Sequence, residues 1–180
     1  MDKILLHCCC APCSAAIVEW MLQHGLRPTL HYYNPNIFPE AEYLKRKEEL
    51  TRHARMLGLD VIDDDYCHGR WLECVAGMES EPERGPRCLQ CFEMRLSRTA
   101  ALAAERGFDT IATTLASSRW KRLDQIEEAG RRAVAKVEGV EFWAKNWRKD
   151  GLQERRGQLL KQYGFYNQLY CGCEFSMPKK

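Results

Sequence analysis

A short apolar run, Ile4-Leu5-Leu6, passes directly into His7-Cys8-Cys9-Cys10-Ala11-Pro12-Cys13, and a helical pattern begins near Ser14. An apolar segment, a tight turn and a helix with proline in its first turn is how a strand feeds a helix in an α/β unit, because proline lacks an N–H that this turn leaves unpaired anyway. The sulfurs therefore fall at the carboxyl end of a strand. Open α/β sheets bind ligands at that edge, and the free N–H groups of a helix start favour thiolates. Small buried residues with one spare thiol would be the plainer reading, but four cysteines in six positions point to metal or redox chemistry.

The remaining chain alternates strand and helix. Ile17, Val18, Met21 and Leu22 recur at helical spacing before Gly25, and residues 28–33 read as a second strand. After the turn Asn34-Pro35-Asn36, Pro39 and Glu40 open a long helix carrying Tyr43, Leu44, Leu50, Ala54 and Leu57. Val61-Ile62 forms a third strand that delivers Asp63, Asp64 and Asp65 to the edge holding the first cysteines, either as ligand or acid or as caps for the next helix. A Glu-, Pro- and Gly-rich loop then presents Cys88-Leu89-Gln90-Cys91 at the head of a helix running to about Gly107. Residues 111–115 read as strand four, a helix follows to about Lys136, and Phe142-Trp143 makes strand five. The pattern predicts one α/β domain over residues 1–180: a mostly parallel, Rossmann-like sheet with helices on both faces and a metal site at the carboxyl ends of its strands.

A chain of 180 residues, 45% of them apolar, is long enough for one substantial core. No apolar run approaches a membrane span, and Met1-Asp2-Lys3 leads straight into the first strand, so a soluble, cytoplasmic protein with no membrane partner is expected. Cytosolic thiols stay reduced, which makes the ten cysteines ligands or redox groups rather than a disulfide scaffold. Net charge is only +2, with basic residues gathered at 119–122 and 145–156 as a phosphate-binding face or as ordinary solvated helix faces.

The thiols fall in three clusters: Cys8, Cys9, Cys10 and Cys13; Cys88 and Cys91; Cys171 and Cys173. A zinc ion or an iron–sulfur cluster takes about four ligands, so these sulfurs exceed one site. Neighbouring cysteines diverge in a turn, and Cys9 and Cys10 can serve two adjacent centres. Cys67 and Cys74 lie outside the clusters, Cys74 as a small buried residue of a short helix. His7 suits a hydrogen bond behind the ligands. The two cysteines flanking Gly172 suggest that metal pins a tail, residues 165–176, which closes the site.

These residues resemble a known family over nearly the whole chain: the cobalamin-independent epoxyqueuosine reductases of the QueH type. The resemblance is carried by His7 with Cys9-Cys10-Ala11-Pro12-Cys13, by Tyr33-Asn34-Pro35-Asn36-Ile37 with Pro39, and by Cys88 and Cys91 leading into Phe92-Glu93-Met94-Arg95-Leu96. Thr113-Thr114-Leu115 and Tyr170-Cys171-Gly172-Cys173 complete it. It implies reduction of epoxyqueuosine to queuosine at the wobble position of tRNA, with a [4Fe-4S] cluster, a second metal ion (iron or zinc) and an external electron donor. The implied metal ligands are Cys9, Cys10, Cys13, Cys88, Cys91, Cys171 and Cys173, with Asp65 as a further ligand or the catalytic acid. Cys8 departs from the family pattern and reads as a bystander. Tyr33, Asn34, Thr114, Arg119 and Lys121 are candidate substrate contacts, Arg122, Arg155 and Arg156 candidate phosphate contacts, and Trp120 a candidate stacking face.

Two other functions fit the thiol clusters alone. A non-redox zinc protein could bind RNA with every cysteine structural. A thiol-dependent tRNA sulfur transferase could use Cys88 and Cys91 as a redox pair, although no glycine-rich phosphate cradle follows the first strand to serve ATP activation.

Overall fold

The computed structural model describes residues 3–178. Five strands, β1 (Ile4–His7), β2 (Thr29–Tyr32), β3 (Val61–Asp63), β4 (Thr110–Thr113) and β5 (Glu141–Phe142), form one sheet in the order β3-β2-β1-β4-β5. Every pairing is parallel, with Leu6 opposite Leu30 and Ala112 on the two sides of β1. β1 is the central strand. A central parallel strand is covered on both faces, which is why Ile4, Leu5 and Leu6 are buried without alternation.

Six α-helices connect and cover the strands: α1 (Ala11–Gln23), α2 (Glu40–Met56), α3 (His68–Cys74), α4 (Pro86–Arg106), α5 (Leu123–Val134) and α6 (Leu152–Tyr163). Adjacent residues of β2 show the two layers. His31 points to α4, where its Nδ1 meets Thr99 Oγ1 at 3.0 Å, whereas the Tyr32 hydroxyl donates to the Tyr43 carbonyl of α2 at 3.0 Å. α5 lies so close to the sheet edge that a Cβ added at Gly130 would stand 2.3 Å from the Phe142 ring.

The expected α/β sheet is present, and its differences from the sequence pattern sit at element ends. α1 begins at Ala11 rather than Ser14, so Cys13 lies inside its first turn and Cys10 occupies the residue before it. The expected strand over 111–115 stops at Thr113, and Thr114–Ser117 winds into a 3₁₀ turn because Thr113 Oγ1 accepts the Leu115 N–H at 3.2 Å. β5 runs over Glu141–Phe142 rather than 142–143, paired to Thr110 and Ile111.

Candidate metal centre and substrate groove

Because β1 and β4 end side by side, the turn after β1 and the 3₁₀ turn after β4 face each other, and Thr114 Oγ1 accepts the Cys9 N–H at 3.3 Å. The sulfurs of Cys9, Cys10 and Cys13 all lie within 4.8 Å of one another, with Cys9 and Cys10 3.8 Å apart. All three residues are buried. Thiol hydrogen bonds from Cys10 and Cys13 draw the Cys9 thiol well below its usual range against the effect of burial, with Lys121 and Arg95 adding positive charge. Burial instead pushes Cys10 up. This trio thus ionises at Cys9 first. Cys8 turns away: its thiol donates to the Leu6 carbonyl at 3.4 Å, and burial raises it.

A second set of thiols gathers where the head of α4 meets the tail. Cys88, Cys171 and Cys173 line one small cavity with Trp120, Lys121 and Gln125. Cys91 and Cys173 pack with Trp71 and Val75 in a satellite core separate from the main one. Burial raises Cys88 and Cys91, and pushes Cys173 up to about 11. All ten cysteines are free of disulfides.

Two buried cations link the sets. Lys121 is only 6% exposed and carries no ion pair among the described residues, yet its ammonium is stabilised: burial opposes the charge, and Cys171, Cys9 and Cys13 more than offset it. Arg95, 1% exposed, lowers Cys9 on one side and Cys91 on the other, and its guanidinium also donates to Asn34 Oδ1. Buried positive charge beside clustered sulfur is the setting that stabilises thiolates, the form in which cysteine ligates metal. The donor set therefore fits a thiolate-bound metal or iron–sulfur group.

Arg46 of α2 holds the tail. It is buried and reaches the carbonyls of Cys171 at 3.1 Å and Tyr170 at 3.3 Å, while Gly172 accepts the Phe38 N–H at 2.9 Å. Gly172 adopts φ +143°, and a Cβ there would meet Ile37, Arg46 and Asn36 at 3.2–3.3 Å. Glycine is what allows two cysteines to straddle this contact. Behind the first trio, Gln168 donates from Nε2 to Cys10 Sγ at 3.0 Å and reaches Cys13 Sγ at 3.7 Å, leaving its buried Oε1 without a partner among the described residues.

The remaining sequence candidates are placed as follows. Asp65 follows β3 at the same sheet edge but is exposed, and it is not part of the close sulfur trio. Its neighbour Asp64 is the engaged carboxylate, held well below the usual range by His31 at 3.2 Å and Arg98 at 2.7 Å. Asn34 is fully buried and donates to the Cys8 carbonyl at 2.9 Å, and Tyr33 stacks on His31 with centroids 6.0 Å apart. His7 bridges Thr113 Oγ1 and the Tyr33 carbonyl instead of a cysteine. Arg122 pairs with Asp124 and Arg155 with Glu19, whereas the exposed Arg119 makes no side-chain hydrogen bond or ion pair among the described residues. Cys67 is exposed, and Cys74 is half-buried rather than buried, accepting from Gln90.

Sequence reasoning missed Gln168, Arg95, Arg46, and the pair Arg84 and Arg148. Arg84 donates to the carbonyls of Arg119 and Trp120, and Arg148 to those of Ser118 and Lys121, so two guanidiniums fix the whole 118–121 loop. No spacing in the sequence signals such partners, because contacts such as Arg46 to Cys171 and Gln168 to Cys10 span long sequence separations.

A parallel α/β sheet with buried thiols clustered at its carboxyl edge is the class the fold and site define, and its Cys9, Cys10 and Cys13 group could hold a metal ion. A family model described as "Epoxyqueuosine reductase QueH" matches residues 4–179. An epoxyqueuosine reductase QueH of Haemophilus influenzae is 46% identical over 176 residues, 98% of this chain and 72% of that one. Its counterpart in Thermotoga maritima is 36% identical over 183 residues, 100% of this chain and 93% of that one. The chain belongs to the epoxyqueuosine reductase QueH family. The sheet also aligns with the crystal structure of a predicted tRNA methyltransferase subunit from Methanocaldococcus jannaschii, TM-score 0.61 at 13% identity over 99% of this chain and 93% of that one. At that identity the likeness shows the fold alone.

Proposed function

We propose that this protein reduces epoxyqueuosine to queuosine at the wobble position of tRNA, with metal held by two thiol sets at one edge of its sheet. Family membership supplies the reaction. The observation that carries the site is the convergence of Cys9, Cys10 and Cys13 with Cys88, Cys91, Cys171 and Cys173 around two shared buried cations, Lys121 and Arg95.

Removing an epoxide oxygen as water breaks both C–O bonds of the ring, forms a C=C bond and consumes two electrons and two protons. An iron–sulfur cluster and a neighbouring metal ion, held between them by Cys9, Cys10, Cys13, Cys88, Cys91, Cys171 and Cys173, would supply one-electron transfer and Lewis acidity, respectively. The chain's own residues do the rest. Cys9 ionises first, Gln168 donates to the sulfur of Cys10, and Lys121 and Arg95 balance accumulated thiolate charge in a site shielded from water. Lys121 keeps its proton on Nζ throughout the physiological range. Asp65 is assigned the role of a further ligand or proton donor, and the 165–176 tail closes the site over the sulfurs. No helix among the described residues is long and apolar enough to cross a membrane. We place the protein in the cytoplasm, with tRNA as substrate and an external reductant as electron source.

Anaerobic reconstitution with iron and sulfide, followed by visible absorption, metal analysis and nucleoside mass spectrometry of treated tRNA, tests this reading. A brown protein that converts epoxyqueuosine to queuosine with reductant and without ATP is expected. Cys10→Ala and Cys171→Ala should each lower turnover at least hundredfold. A colourless zinc protein, an ATP requirement, or full turnover by either variant overturns it. Asp65→Asn is expected to lower turnover at least tenfold, and unchanged turnover removes Asp65 from the mechanism.

A further inference from the structure

An open groove of about 290 Å³ runs along the carboxyl edge of the sheet and ends at Cys13. Trp120, Arg119, Arg156, Asn167 and Gln168 line it. Its residue chemistry is specific: a half-exposed indole, two guanidiniums and three carboxamides, Gln153 being the third, converge beside one thiol. Gln168 is 6% exposed, its Nε2 is engaged with Cys10, and its Oε1 is a buried acceptor with no donor among the described residues. A buried acceptor left unpaired costs about 1–3 kcal/mol, so a donor from a ligand is the natural completion.

The groove is also rigid where it matters. Arg156 is braced by donating from Nε to the Pro12 carbonyl at 3.0 Å, which leaves its terminal nitrogens for another acceptor. The loop bearing Arg119 and Trp120 is clamped through its carbonyls by Arg84 and Arg148. Trp120 is shared: it lines this groove and the cavity of Cys88, Cys171 and Cys173. A planar ligand lying on Trp120 is thereby placed next to both thiol sets.

We propose that the groove seats a single nucleotide drawn out of an RNA loop. Its base stacks on Trp120, its phosphates engage Arg119 and Arg156, and a donor on its base edge pairs with Gln168 Oε1. Single-stranded RNA is recognised by this combination of aromatic face, base-edge hydrogen bonds and cations on the backbone. A basic surface alone would hold a duplex as well. A lone aromatic face with a buried acceptor beside it selects an unstacked base. The inference rests on the reading of the chain as a tRNA-acting reductase and identifies where that substrate binds.

The test uses the reconstituted protein and two anticodon stem-loop RNAs, one with guanosine and one with epoxyqueuosine at the wobble position. Binding is followed by fluorescence anisotropy across a salt series. Trp120→Ala and Arg156→Met are expected to bind either RNA at least tenfold more weakly at unchanged metal content, and Trp120→Phe to stay within threefold of wild type. Arg119→Met and Arg156→Met should each reduce the slope of log affinity against log salt by about 0.7, the value for one phosphate on a single strand. Arg131→Met, on the outer surface of α5, should bind like wild type. Wild-type affinity in both Trp120→Ala and Arg156→Met overturns the groove, whatever the activity. Loss of binding in those variants, in a wild-type protein that leaves epoxyqueuosine intact, supports the groove and overturns the reductase reading instead.

Discussion

Single atoms decide much of the site. Gly172 combines a positive φ with close approach from Ile37, Arg46 and Asn36, so Gly172→Ala strains the backbone between Cys171 and Cys173. The substitution should destabilise the protein by about 1–3 kcal/mol in urea unfolding and lower the metal bound after reconstitution. Lys121 acts through charge. In metal-free protein the first thiolate step, followed by ultraviolet absorbance, should move up by about 1–2 pH units in Lys121→Met and return in Lys121→Arg, because an adjacent cation favours the ionised sulfur. The cysteines at this scale were legible because sulfur density is rare and its spacing mirrors a strand–turn–helix. Gln168 was not, because a carboxamide carries no spacing signal and its partner Cys10 is 158 positions away. Nor was the division of labour within 119–122 legible: one stretch of cations becomes a buried ammonium at Lys121, a paired surface group at Arg122 and, at Arg119, an exposed group without a side-chain partner among the described residues.

Among the elements, the contact between α5 and β5 sets two rules against each other. Alanine is better than glycine inside a helix by about 0.8–1.0 kcal/mol, but a methyl group at Gly130 would stand 2.3 Å from the Phe142 ring. Overpacking of that kind costs about 1–3 kcal/mol, so Gly130→Ala is expected to lower stability, measured as a lower thermal midpoint. Helical periodicity and glycine stops made the long elements readable: α2 lies where the apolar spacing puts it, and α4 ends at Arg106, just before Gly107. The short strands were less so. β5 has two residues and owes its existence to pairing with Thr110 and Ile111, a tertiary event with no local signature. The 3₁₀ turn after β4 came from one hydroxyl, that of Thr113, diverting a run that otherwise reads as extended chain.

For the molecule as a whole, buried imidazoles set the acid limit. Burial lowers His31, fully enclosed between Thr99 and Asp64, and His53, wedged against the Tyr163 and Phe165 rings at 5.0 Å each. Unfolded histidine takes up its proton near pH 6.5, whereas these folded ones resist until lower pH. Below about pH 6.5 the unfolded state therefore binds more protons, and stability falls as pH falls. Urea midpoints of the metal-free protein should drop between pH 7.5 and 5.5, by up to about 1.4 kcal/mol per histidine for each pH unit, and the drop should shrink in His53→Leu. The parallel sheet was legible as a whole because each of its strands precedes a helix, and such units close in few ways. How the tail returns to the sheet was not, since Arg46 and the 36–38 loop meet it only in three dimensions. That return has a consequence for biosynthesis. On the ribosome Cys9, Cys10 and Cys13 emerge well before Gln168, Cys171 and Cys173, so the nascent sheet waits for the 165–176 segment with its earlier thiols uncovered. A cell making this protein in air must protect those thiols until the 165–176 segment has been made, and yield should depend on oxygen during translation more than on oxygen afterwards.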